Sequence, residues 1–206
     1  MIIEWYGHSC FKISIEDFSI CLDPFNPEMI PGIDKLDVSA NLVLCSHEHA
    51  DHNYRKAVKI IDKPLPKGLN ISFIESYHDN EHGTKRGKNL ITVIENKHIK
   101  IVHLGDLGTM LDDNQIERLK NLDAIMIPIG GHYTIGPLIA KQICKTLNPK
   151  IIIPMHYRSE TFGFNVLSKI NDFLKLFDEL KVVAYKTNKL DLAKEKHNHI
   201  ALLELL

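Results

Sequence analysis

The sequence predicts an α+β fold built from layered sheets with helices on the outside. Two observations carry this. Short β-branched and apolar runs recur along the whole chain, and in both halves they alternate with segments of helical spacing. Residues of the metal-ligand type stand just after several of these runs, as they would where loops at one sheet edge converge.

Taken in order, Ile2 to Tyr6 is β-branched and aromatic and is ended by Gly7. Cys10 to Ile15 alternates apolar and polar, Glu16-Asp17 turns the chain, and Phe18 to Leu22 runs on to Asp23-Pro24. This opening reads as a β-meander with His8 and Asp23 at its ends. Pro27, Pro31 and Gly32 make 26–35 a loop. Asn41 to Cys45 is an apolar run that reads as a buried strand, and Tyr54 to Ile61 has helical spacing. Ile71 to Tyr77 is a strand ending in His78-Asp79. The polar, Gly-bearing stretch 81–89 reads as a mobile loop. Leu90 to Glu95 and His98 to His103 form a hairpin about Asn96-Lys97, leading into Leu104-Gly105-Asp106. Gln115 to Leu119 is a short helix, and Ala124 to Ile129 a strand running into Gly130-Gly131-His132. A helix over 134–147 is stopped by Asn148-Pro149, and the strand Lys150 to Met155 ends in His156. Val166 to Leu180 reads as an amphipathic helix with Val166, Leu167, Ile170, Phe173, Leu174 and Phe177 on one face. Val182 to Tyr185 and Ile200 to Leu205 close the fold. With no low-complexity segment and no clear linker, residues 1–206 read as a single domain.

The chain has 25 Lys+Arg against 26 Asp+Glu, a formal net charge of -1, so no strong field is available to grip nucleic acid. No apolar run is long enough to span a membrane, and the N-terminus lacks a signal-peptide pattern. Cys10, Cys21, Cys45 and Cys144 are scattered among apolar neighbours and read as reduced thiols, so the expected location is the cytoplasm. Among the composition values, the 12 histidines stand out.

Those histidines concentrate in Ser46-His-Glu-His-Ala-Asp-His-Asn53, directly after the strand at Asn41 to Cys45. Neutral imidazoles and ionised carboxylates are what a divalent metal needs. His47 and His49 are two apart and point the same way in an extended segment, whereas Asp51 and His52 follow a bend and can turn toward a second centre. His78, Asp106 and His156 follow other strands. Two bridged ions need ligands on both sides and usually a shared carboxylate, and Asp106 sits in a Gly-bounded turn that leaves its carboxylate free for that.

The stretch Ser46 to His52 resembles the His-x-His-x-Asp-His signature of the metallo-β-lactamase superfamily. His78, Asp106 in Leu-Gly-Asp and His156 match its later motifs, and Asp23 matches the aspartate that braces the signature loop. Trp5-Tyr6-Gly7-His8-Ser9-Cys10-Phe11, Arg86-Gly87-Lys88-Asn89 and Pro128-Ile129-Gly130-Gly131 are similar to the compact, lactonase-like branch that includes L-ascorbate-6-phosphate lactonase. The resemblance implies a four-layer αβ/βα sandwich. It also implies a first metal on His47, His49 and His78, a second on Asp51, His52 and His156, and Asp106 as the bridge. Zinc is the metal implied by similarity, and the N/O ligand set also suits Mn or Fe.

Metal ions of this kind lower the pKa of bound water from about 15.7 to roughly 7, which makes hydroxide available at neutral pH. Asp51 would orient it as well as bind metal. The expected activity is hydrolysis of a small lactone or ester, whether anionic or neutral being left open. A phosphodiesterase or nuclease, and a non-catalytic metal-binding protein of the same fold, are the alternatives. The expected partner is a small molecule, with neither membrane nor nucleic acid, and a homo-oligomer is left open.

Around this set, His8 stands either in the pocket wall, or behind the ligands, or as a hydrogen-bonded turn histidine. His103 supports the ligands from behind. His132 is a candidate substrate contact or proton donor. Arg86 and Lys85 would either bind an anionic group or form a solvated loop. His82, His98, His197 and His199 read as surface residues.

Overall fold

The structure is a computed structural model that describes residues 1–196 and 198–205. His197 lies outside the described residues.

In chain order the strands are β1 (Ile2–Trp5), β2 (Phe11–Ile15), β3 (Phe18–Leu22), β4 (Val38–Ala40), β5 (Leu42–Leu44), β6 (Val58–Ile60), β7 (Asn70–Tyr77), β8 (Lys88–Glu95), β9 (Lys100–His103), β10 (Ala124–Pro128), β11 (Ile151–Met155), β12 (Lys181–Ala184), β13 (Lys189–Asp191) and β14 (His199–Leu202). The α-helices are α1 (Asp113–Arg118), α2 (Pro137–Leu147) and α3 (Ile170–Leu174). One sheet has the order β13-β1-β2-β3-β5 and the other β12-β14-β11-β10-β9-β8-β7, while β4 and β6 pair separately. One core cluster spans both sheets. It includes Ile3, Phe11, Ile13 and Ile20 from the first, and Ile91, Ile101, Ile125, Ile152 and Ile200 from the second.

Strand direction is what positions the site. In the first sheet β3 and β5 run parallel, and β1 shares their direction because it is antiparallel to β2, which is antiparallel to β3. In the second, β9, β10 and β11 are mutually parallel, and β7 shares their direction through the antiparallel β8. His8, Asp23 and Ser46 to His52 therefore leave the carboxyl ends of β1, β3 and β5. His78, Asp106 and His156 leave the carboxyl ends of β7, β9 and β11. Carboxyl ends of parallel strands are where ligands bind in open sheets.

Several expectations change. Residues 54–61 are not a helix: Arg55–Ala57 is a single 3-10 turn, and Val58–Ile60 pairs with β4. The β-branched Val58 and Ile60 favour a pleated strand with a partner over an isolated short helix. The helix expected over 166–180 shrinks to α3. Upstream of it, Ser168 N–H donates to Gly130 O (2.8 Å) and Arg158 N–H donates to Ser168 O (3.1 Å), so this backbone is committed to neighbouring loops. Downstream, Leu176 and Phe177 donate to residues three back, and the chain tightens into turns. Val166 is exposed, whereas Leu167, Phe173 and Phe177 are buried as expected. Strand β5 is half-buried at a sheet edge and not fully enclosed. Strand β13 has one apolar residue, Leu190, and carries no alternation long enough to read. The helix stop at Asn148 holds, with the residue in the left-handed conformation (φ 45°).

Candidate metal centre

Asp106 sits at the middle of the site, almost completely buried. Its Oδ2 lies 3.1 Å from His52 Nε2, 3.3 Å from His78 Nε2 and 3.2 Å from His156 Nε2. Three histidines from three separate loops thus face one carboxylate oxygen. The Asp106 turn is fixed from behind. Its N–H donates to Asn89 Oδ1 (2.9 Å), and Asn89 Nδ2 donates to Ser76 Oγ (2.8 Å) and Leu104 O (2.9 Å). Gly105 has φ +57°, and a Cβ there would overlap Asn89 Oδ1 and Ser46 Cβ. A Cβ on Gly108 would overlap the backbone joining His78 to Asp79.

Asp23 braces the His-rich loop. Its carboxylate accepts from Ser46 N–H (2.7 Å), Ser46 Oγ–H (2.6 Å) and His52 Nδ1 (2.8 Å). The last bond places the His52 proton on Nδ1 and leaves Nε2 facing Asp106. A carboxylate behind a histidine in this way orients it as a ligand. Ser46 Oγ also lies 2.9 Å from His47 Nδ1, which leaves His47 Nε2 to face inward.

Ligand atoms gather in two main groups. His47, His49 and His78 offer atoms within 4.8 Å of one another, and so do His8, Asp51, His52 and His156. A third such group, Asp23, His47 and His52, overlaps both. Asp23 is already engaged by Ser46 and His52, so there it acts as the brace.

The test of whether these residues fit a metal lies in their unpartnered atoms. His47 Nε2, His52 Nε2, Asp106 Oδ1 and both ring nitrogens of His8 and His156 are buried and lack a well-formed hydrogen bond. Buried polar atoms are normally paired, and so many orphans facing one another fit a cation with N/O ligands.

The titration behaviour of His8 and His47 agrees. Burial drives His8 down to about 4, with His156 adding to the shift. Burial drives His47 down to about 3, with His52 adding. Both rings are therefore neutral at pH 7 with lone pairs available. Burial would raise Asp106 and Asp51, but their histidine neighbours hold both carboxyls below the usual range: His156 and His52 for Asp106, His8 and His52 for Asp51.

The other sequence candidates separate. His103 is not in either main group: its Nε2–H donates to Ser9 O (2.9 Å), and its Nδ1 accepts from Gly105 N–H (3.1 Å). It ties the Asp106 turn to the first sheet. His132 is exposed, stacks edge-on against Tyr133, and lines a cavity of about 420 Å3 together with Asp79, Arg86, Tyr133 and Gly108. Arg86 walls this cavity and also a second hollow, of about 430 Å3, beside His47 and His49. Its guanidinium lies 5.6 Å over the Tyr133 ring. A further hollow of about 310 Å3, lined by Asp123, Lys150 and Glu195, opens at the amino ends of β10 and β11, away from these groups.

Residues 81–89 are not the loose loop expected. The Asp79 carboxylate accepts from the N–H groups of Glu81, Gly83, Lys85 and Arg86 at 2.7 to 3.0 Å, winding the loop around itself. His199, expected on the surface, is buried, with its Nε2 3.0 Å from Tyr185 Oη. His82 and His98 are exposed. Sequence reasoning missed the structural roles of Asn89 and Asp79, although Asn89 stands in a motif stretch that carried the resemblance and Asp79 directly follows His78.

Comparison with known proteins agrees with this picture. A sequence family described as a beta-lactamase superfamily domain matches residues 2–156. A UPF0173 metal-dependent hydrolase of Natranaerobius thermophilus is 30% identical over 189 residues, covering 77% of this chain and 84% of its own. One from Lawsonia intracellularis is 27% identical over 225 residues, covering 90% of this chain and 96% of its own. The crystal structure of a Thermotoga maritima protein, described as a Zn-dependent hydrolase of the metallo-beta-lactamase superfamily, shares 38% identity with a TM-score of 0.75. It covers 98% of this chain and 97% of its own.

Proposed function

The chain belongs to the beta-lactamase superfamily and to its UPF0173 metal-dependent hydrolase family, with the metallo-β-lactamase fold, and on that premise we propose that it hydrolyses a small anionic lactone or ester at a two-metal site. The observation that carries this is the pair of ligand groups meeting at Asp106, with inward-facing nitrogens that lack a well-formed hydrogen bond. His47, His49 and His78 would hold one ion, Asp51, His52 and His156 the other, and Asp106 would serve both. Zinc is the first choice, with Mn or Fe also suited to these ligands. When bound, such ions supply Lewis acidity and a lowered water pKa, which is chemistry that needs no serine or cysteine nucleophile.

The chain's own residues then have assignable tasks. Asp51, whose side chain is about one-fifth exposed, faces the site as an ionised acceptor that would orient water. Arg86 walls both hollows beside the ligands, so an anionic group on the substrate has a guanidinium to meet. His132, exposed on the same cavity as Arg86, would donate a proton to a leaving group. Neutral overall charge and small hollows favour a small molecule over a polynucleotide. The cysteines are free thiols, in keeping with the cytoplasm, and among the described residues no helix is long and apolar enough to cross a membrane.

The test is a panel of aryl esters, lactones with and without a phosphate or carboxylate, and bis(p-nitrophenyl) phosphate, assayed with Zn-, Mn- and Fe-loaded protein. Turnover of the anionic lactones that falls in Arg86→Ala through a raised KM supports this reading. Phosphodiester turnover without lactone or ester turnover replaces it with a phosphodiesterase. No turnover across the panel with both metals bound makes the protein a metal-binding member of the fold.

A further inference from the structure

We propose that His8 is itself a ligand of the second metal, joining Asp51, His52 and His156; this rests on the two-metal reading above. His8 lies in the turn after β1, in a left-handed conformation (φ 50°) behind Gly7 (φ 98°). A histidine in that conformation is uncommon and is kept only where its surroundings hold it there. They do. Cys10 N–H donates to Gly7 O (2.9 Å) and closes the turn. The His8 carbonyl accepts from Trp5 Nε1–H (3.1 Å) and from His156 N–H (3.2 Å). The neighbouring Ser9 carbonyl is held by His103 Nε2 at 2.9 Å.

This scaffolding aims the ring into the ligand cluster. Its centroid lies 4.1 Å from that of His156 and 5.1 Å from that of His52, and its Nε2 is 3.5 Å from Asp51 Oδ2. Phe25 and Phe164 meet it edge-on and offer no hydrogen-bond acceptor. Both ring nitrogens are buried and lack a well-formed hydrogen bond, Nε2 having only the long contact to Asp51, a costly arrangement unless a cation supplies the missing contact.

The consequence is an asymmetric centre. With Asp106 shared, five side chains would surround the second metal and four the first, and His49 of the first is exposed beside the hollow that Arg86 lines. The more protein ligands surround a metal, the fewer positions it keeps open for chemistry. The first metal is then the one the substrate meets.

His8→Asn and His8→Gly test this, because both residues tolerate the left-handed backbone and neither reaches the cluster. Metal-free protein is titrated with Zn by calorimetry, bound metal is counted by mass spectrometry, and the Co-loaded protein is followed by its visible absorption. The expected result is an unchanged first site and a second site weakened by at least about tenfold, with an altered Co spectrum. His156→Ala is the reference for loss of the second site. If both His8 variants keep wild-type affinity and spectrum while His156→Ala loses one metal, His8 is not a ligand. If His156→Ala also keeps two metals, the second site is wrongly placed and the His8 proposal falls with it.

Discussion

Asp23 acts on the metal ligands without being free to join them. Its carboxylate is shared among Ser46 N–H, Ser46 Oγ and His52 Nδ1, and it is buried. Asp23→Asn keeps the shape and tolerates the left-handed backbone at that position (φ 46°), but removes the charge and the acceptor behind His52. The second metal should bind about 10- to 100-fold more weakly, read by Zn titration, while the first is little changed. The titratable groups give a second expectation, for the metal-free protein. Burial sets His8 at about 4 and His47 at about 3, and it lowers His78 and His103 as well. Between the ordinary histidine value and these values the unfolded chain takes up protons that the folded one does not, so stability falls as pH drops from about 6.5 toward 4. His52 behaves oppositely. Burial would lower it, but Asp106 and Asp23 raise it well above the ordinary value, so its contribution is full below about 6.5 and is lost at alkaline pH. Thermal melts of chelated protein should therefore fall on both sides of neutrality, and a flat profile from pH 4 to 7 would contradict the burial of His8 and His47.

Elements were legible in the sequence in proportion to how much their own residues decide them. The hairpin of β8 and β9 and the Asn148 stop of α2 rest on local chemistry, and they form where expected. The segments 54–61 and 166–180 carry helical spacing, yet their backbones are claimed by β4 and by the loops at Gly130 and Arg158, which no local pattern announces. The site residues at strand ends were legible because their types are so specific. Their supports, Asn89 and Asp79, were not, since a buried asparagine and a loop-centring aspartate read as ordinary polar residues. The loop after β7 makes a prediction at this scale. Asp79→Ala removes the acceptor of four N–H groups, so amide exchange and proteolysis should rise across 80–87. KM should rise through Arg86, with metal content unchanged. Gly105→Ala and Gly108→Ala force a Cβ into Asn89 and into the His78 backbone respectively, and each should cost about 1–3 kcal/mol or more by chemical denaturation, with loss of metal retention.

At the scale of the whole molecule, the two sheets act as one device. Each sends the carboxyl ends of like-directed strands to the same edge, and neither alone supplies all of the proposed ligands: His47, His49, Asp51 and His52 come from the first sheet, His78, Asp106 and His156 from the second. Metal binding at the proposed site would therefore couple to the packing of one sheet on the other. Chelation should lower the melting temperature by roughly 15–30 °C at free-metal levels about a thousandfold above Kd, since each of the two proposed sites would add about 4 kcal/mol. The Asp106 junction is tested most directly by titrating metal back into chelated protein while following hydrolysis of the best substrate in the panel. The expected result is a rate that rises to a plateau at two equivalents per chain and is abolished again by chelator. Hydrolysis that persists in metal-free protein, or protein that takes up no metal at all, would contradict it.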